Sequence, residues 1–133
     1  MPARSSHDLA EVLLRRSQDD ATAVSEFAAN PRIADSVIGF HAQQAAEKRL
    51  KAVMAVRGLR IPRSHDLDQL AERLEDDGAQ LPGDRDRLDE LTGYAGPMRY
   101  EELLDAEPLD RAAIMALTEE VGRWAAAELD SHG

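Results

Sequence analysis

The chain contains no cysteine. Disulfides, thiolate nucleophiles and zinc–thiolate centres are thereby excluded. Aromatic residues make up only 4% of the 133 positions, so an interior drawn from a 43% hydrophobic composition must consist mainly of Ala, Leu, Val and Ile. Such a composition suits helices better than strands. No run approaches the roughly 20 apolar residues of a membrane span, and the N-terminal MPARSSHDLAEVLL lacks the apolar stretch of a signal peptide, so a cytoplasmic protein with no membrane contact is expected. Histidine is sparse: His7, His41, His65 and His132 lie far apart, and no Glu-x-x-His pair of the di-iron type occurs, so neither a metal nor another cofactor is expected. Gly-rich phosphate loops and nucleophile elbows are also missing. Lysine is nearly absent. Of 16 basic residues, 14 are Arg, and the two lysines, Lys48 and Lys51, stand three apart in GFHAQQAAEKRLKAV.

The net charge of −10 argues against bulk electrostatic binding to nucleic acid. Its distribution is uneven. From Glu47 to Arg63 there are six basic residues against one acid. This segment reads either as a solvated helix face and loop or as a local anion site on an acidic body.

Hydrophobic periodicity predicts a single all-α domain over 1–133, an up-and-down antiparallel bundle of four to five helices. The first helix spans about His7 to Ala29, with Ser6 as N-cap, an apolar stripe of Leu9, Val12, Leu13, Ala23, Val24 and Phe27, and a bend near Ser17 to Asp20. Asn30-Pro31 ends it, because the residue before proline avoids helical angles. The second runs from Asp35 to Arg57 with Gly58 as its stop, and buries Ile38, Ala42, Ala45, Ala46, Leu50, Val53 and Val56. Arg49 interrupts that apolar face. A third helix covers about Asp66 to Asp77 and closes at Gly78, and a fourth covers Asp84 to Tyr94. After a loop over Met98 to Glu107, a fifth starts near Pro108 and ends near Asp130, burying Ile114, Leu117, Val121, Trp124 and Leu129. Gly122 in mid-helix points to close helix contact.

Three groups of residues carry candidate chemistry. On the second helix, His41, Gln44, Glu47, Lys48 and Lys51 share a polar stripe. Glu47 and Lys51 at i, i+4 read as a surface ion pair, whereas a Gln and two ammonium groups in a groove suit a phosphate or a base edge. Second, Arg60, Arg63 and His65 precede a helix N-terminus that attracts anions, with Ser64, His65 or Asp66 as its cap. Third, Tyr94-Ala95-Gly96-Pro97-Met98-Arg99-Tyr100 is either a functional loop or one pinned by its tyrosines, with Arg99 paired to Glu101 or Glu102.

Phe40-His41-Ala42-Gln43-Gln44-Ala45-Ala46-Glu47-Lys48 with Lys51-Ala52, then Ser64-His65-Asp66-Leu67, then Arg99-Tyr100, resembles the HEPN domain family (higher eukaryotes and prokaryotes nucleotide-binding) in order and spacing. The resemblance extends from about Leu9 to Leu129. It implies a helical bundle that dimerises, binds nucleotide or RNA, and is encoded beside a minimal nucleotidyltransferase with which it forms a toxin–antitoxin-type pair. On this basis nucleotide or anion binding falls to His41, Gln44, Glu47, Lys48, Lys51, Arg63, His65, Arg99 and Tyr100. The family's ribonuclease branch implies an alternative, a metal-independent endoribonuclease using His65 with Arg60, Arg63 or Arg99. Its Arg–His motif belongs late in the chain, where Arg99 is followed at the required spacings by Leu104, Asp105 and Ala106, and no His lies between His65 and His132. A third reading is a non-catalytic adaptor whose polar stripe is the dimer interface.

Overall fold

A computed structural model describes residues 5–96 and 107–132. The described residues form five helices: α1 (Ser6–Ala28), α2 (Asp35–Val56), α3 (Leu67–Asp76), α4 (Arg85–Thr92) and α5 (Arg111–His132). The described residues contain no strand, and none of their helices is long and apolar enough to cross a membrane.

Side-chain caps start four of the helices. Ser5, one residue earlier than expected, caps α1 in a reciprocal box with Asp8. Asp66 accepts from the backbone of Asp68 and Gln69 at the start of α3, and Asp84 accepts from Asp86 at the start of α4. Asp110, rather than Pro108, begins α5: its carboxylate accepts from Ala113 N–H at 3.0 Å. Only α2 lacks such a cap, since Ala34 stands at that position.

Two glycines close α2 and α3 in the same way. Gly58 and Gly78 adopt φ of 75° and 97°. The next residues, Leu59 and Ala79, then return hydrogen bonds of 2.9 Å to Met54 and Leu74 carbonyls. This is the Schellman ending, and it favours Gly because a Cβ is strained at positive φ.

Central in the bundle, α2 packs against each of the other four helices. Side-chain pairings give the directions. Ser17 meets Arg49 and Asp20 meets His41, so α1 runs antiparallel to α2. Asp35 meets Arg111, Arg49 meets Thr118 and Arg57 meets Glu128, so α5 runs alongside α2 in the same sense. The segment after Gly58 carries the chain back along α2, bringing His65 beside Gln43, before α3 climbs again to place Asp77 at Arg57. That return strap covers polar residues of α2 that a helical wheel would leave in water.

The core is aliphatic. Ile38, Leu50, Met54, Leu67, Leu70, Leu74, Leu91 and Ile114 are its largest fully buried apolar side chains. Leu9, expected to face inward, is 46% exposed, and Ala10 is buried in its place. Trp124 and Val56 are half-buried rather than buried. The region around Ser17 continues the single helix α1, its hydroxyl donating to Leu14 carbonyl at 2.6 Å.

Gly39 has a packing reason. A Cβ there would lie 2.5 Å from Tyr94 Cδ1, so the tyrosine ring rests directly on the α2 backbone. Burial pushes the Tyr94 hydroxyl pKa above its ordinary value, as do nearby Asp35 and Glu90. Gly39→Ala gains about 1 kcal/mol of helix preference, yet overpacking costs more. We expect a net destabilisation of about 2 kcal/mol in urea denaturation, and a stabilised variant would contradict this packing.

Candidate functional site

The polar residues of α2 divide between two flanks of the helix. On one flank the centre is Glu47, only 7% exposed. Its Oε1 accepts from Gln43 Nε2 at 3.0 Å and from His65 Nδ1 at 2.8 Å, while its Oε2 accepts from Lys51 Nζ at 3.0 Å. The expected surface ion pair of Glu47 and Lys51 is therefore a sheltered one. Gln43 is fully buried and makes a second bond, to His65 carbonyl at 3.2 Å, and accepts from Gln44 Nε2 at 2.7 Å. Burial pushes the Glu47 carboxyl pKa up, but the hydrogen bonds from Gln43, His65 and Lys51 and the Lys51 charge outweigh it and hold the group below its ordinary value.

On the other flank the centre is Asp20 of α1. Its Oδ1 accepts from His41 Nδ1 at 2.9 Å and its Oδ2 from Lys48 Nζ at 2.5 Å. The His41 ring is also packed edge-on against Phe27 and Phe40. The two flanks share one pattern: a sheltered carboxylate gives one oxygen to a histidine and the other to a lysine. An arginine fork tends to take both oxygens. Here each ammonium takes one oxygen and leaves the other to the imidazole.

Because an ionised carboxylate only accepts, His65 Nδ1 carries the proton in its bond to Glu47. The His65 side chain is 67% exposed, so Nε2 lies at its solvent edge. A buried carboxylate orienting an exposed imidazole is suited to binding a polar ligand or to moving a proton. Asp66, immediately after it, is the cap of α3.

The remaining expected site residues separate. Arg63 is exposed in the same connection as His65. Arg60 instead lines a small cavity with Arg73 and Asp76, at the far end of α3 from His65. Ten helical residues span about 15 Å, so Arg60 and His65, joined in the ribonuclease alternative, do not come together in space. Arg99 and Tyr100 lie outside the described residues.

Gln43 and Asp20 are the contributors that the sequence reading passed over. Gln43, Glu47 and Lys51 form an i, i+4, i+8 ladder, a signal available in the sequence. Asp20 lies 21 and 28 residues from His41 and Lys48, beyond any local pattern. Among the described residues no group of three or more metal-ligating side chains occurs.

A family model described as HEPN domain matches residues 10–129. No curated protein and no solved structure matches the chain.

Proposed function

The chain belongs to the HEPN domain family, and from that membership we propose a binding and partner module whose ligand face is the His65 side of α2. Membership supports a nucleotide- or RNA-related helical module in general. The finer reading is that His65, Lys51 and Arg63 meet a nucleotide or a short RNA, and that the protein dimerises and pairs with a nucleotidyltransferase in a toxin–antitoxin-type system.

One observation carries the ligand face: Glu47, sheltered and ionised, holds an exposed His65 imidazole at 2.8 Å. Ordering an exposed side chain costs entropy, and pre-organisation of this kind serves recognition by lowering the ordering cost on binding. Lys51 keeps the local charge balanced, and Arg63, exposed and without an ion pair among the described residues, supplies a cation for a phosphate. Val37 and Phe40, 39% and 38% exposed beside His41, give the homodimer an apolar patch to bury.

The same dyad favours one rival. An imidazole oriented by a carboxylate is the general acid–base half of metal-independent RNA cleavage. The described residues hold no Arg bonded into that dyad to stabilise a pentavalent phosphate, so binding is the preferred reading.

Titration of labelled ATP, GTP and short RNA decides between them. We expect binding that weakens about tenfold or more in His65→Ala and in Arg63→Ala, equivalent to about 1.4 kcal/mol, without RNA cleavage. Cleavage in EDTA that vanishes in His65→Ala would establish the nuclease instead. Lack of any ligand, together with no co-purifying nucleotidyltransferase, would end the proposal.

A further inference from the structure

Two residues beyond Glu47 and about 200° around the helix, Arg49 points to the opposite side of α2. It is 4% exposed. Its Nε donates to Ser17 Oγ at 3.1 Å and its Nη1 to Thr118 carbonyl at 2.7 Å. Its Nη2 bonds to no described residue, and no carboxylate among the described residues forms an ion pair with it. A guanidinium cannot shed its proton under ordinary conditions, and a buried charge without a counter-ion is costly. Burial does pull its pKa down, against the field of Asp20.

This guanidinium lines a cavity of about 530 Å³ between α1 and α5. The volume falls within the range of small-molecule sites. Leu14, Ala21 and Val24 of α1 and Met115 and Ala126 of α5 form apolar wall. Gly122 completes it: a Cβ there would stand 3.0 Å from Arg49 Cζ and Nη2. The mid-helix glycine thus keeps room beside the guanidinium, at a cost in helix preference that an alanine would avoid. Besides Arg49, the charged side chains lining the cavity are Glu26, Glu119 and Arg123, two acids against one base, so a ligand of low negative charge is favoured.

We propose that this cavity binds a small carboxylic acid with an apolar body, its carboxylate on Arg49 and its body against the α1 and α5 walls. A single carboxylate supplies the acceptor that Nη2 lacks and limits repulsion from the two glutamates. The site is separate from the His65 face and does not depend on the proposed nucleotide function.

Isothermal titration of the whole chain with octanoate, octanol, octyl phosphate and ATP tests it. Octanoate should bind, octanol at least about tenfold more weakly, and octyl phosphate, mostly a dianion at pH 8, more weakly than octanoate. Gly122→Ala crowds Arg49 and should abolish octanoate binding. Ala126→Leu occupies the cavity from an exposed helical position, and should abolish binding at an unchanged melting temperature. His65→Ala should leave octanoate affinity as it is, so the two ligand readings fail or stand separately. Absence of octanoate binding, equal binding of octanol, displacement by ATP, or wild-type affinity in a folded Ala126→Leu protein would each overturn the proposal.

Discussion

Glu47→Ala should destabilise the fold by about 3 kcal/mol, measured by urea denaturation with the slope held common. The carboxylate is the shared acceptor of Gln43, His65 and Lys51. Its removal leaves the Gln43 amide, which is 0% exposed, with one acceptor fewer, and leaves Lys51 charged in a sheltered position. It also releases the strap that carries His65, so ligand binding at that face should fall in the same variant. Lys51→Met, which removes the ammonium and keeps an apolar stem, should cost about 1 kcal/mol. A cost below about 1 kcal/mol for Glu47→Ala would show that the network adds no stability. The pH dependence has a defined sign. Glu47 titrates below its ordinary value of 4.5 in the fold, so its contribution is complete above pH 4.5 and disappears as pH falls through the lowered value. Glu47→Gln removes that part of the acid limb.

Arg111→Ala should cost a similar amount, about 3 kcal/mol. One guanidinium joins the ends of three helices. Its Nε donates to Asp35 Oδ1 at 3.0 Å, its Nη1 to the Phe27, Ala28 and Asn30 carbonyls at 3.4, 3.3 and 3.0 Å, and its Nη2 to Ile33 carbonyl at 2.7 Å. The carbonyls at 27 and 28 belong to the last turn of α1, which has no basic residue of its own. Asp35 begins α2, the helix without a side-chain cap. It also accepts from Leu109 N–H at 3.0 Å, a bond that leads the effects holding its pKa low. Arg111→Lys should recover less than half of the loss, since an ammonium cannot span five acceptors in a plane. Amide hydrogen exchange over 27–35 should accelerate in both variants. Full rescue by Lys would mean that charge alone matters at this corner.

The helices were legible because their punctuation is local. Asn30-Pro31, Gly58 and Gly78 each end a helix through backbone chemistry that one or two residues decide. The apolar face of α2 was legible for a similar reason, since Ile38, Ala42, Ala45, Ala46, Leu50 and Val53 are all buried where the period puts them. The site was less so. A polar stripe assumes that polar means solvent-facing, but the strap after Gly58 covers Glu47 and Gln43, and no helical period reports a covering loop. Lys48 and Lys51 looked like neighbours on one stripe, yet their acids lie on different flanks, one on α1 and one on α2 itself. Arg49 was visible as an interruption of the apolar face. Its meaning required α1 and α5, which supply Ser17, Thr118 and Gly122 from 32 to 73 positions away in sequence.

The Arg111 clasp also bears on the order in which the molecule assembles. The α1–α2 hairpin is local in sequence and can collapse soon after both helices exist. The residue that locks its corner lies 76 to 84 positions further along the chain. During synthesis from the N-terminus the corner must therefore wait through α3 and α4 with its carbonyls hydrated, and it closes only when α5 arrives. Helix α5 thus secures a corner between two helices that both precede it in the chain.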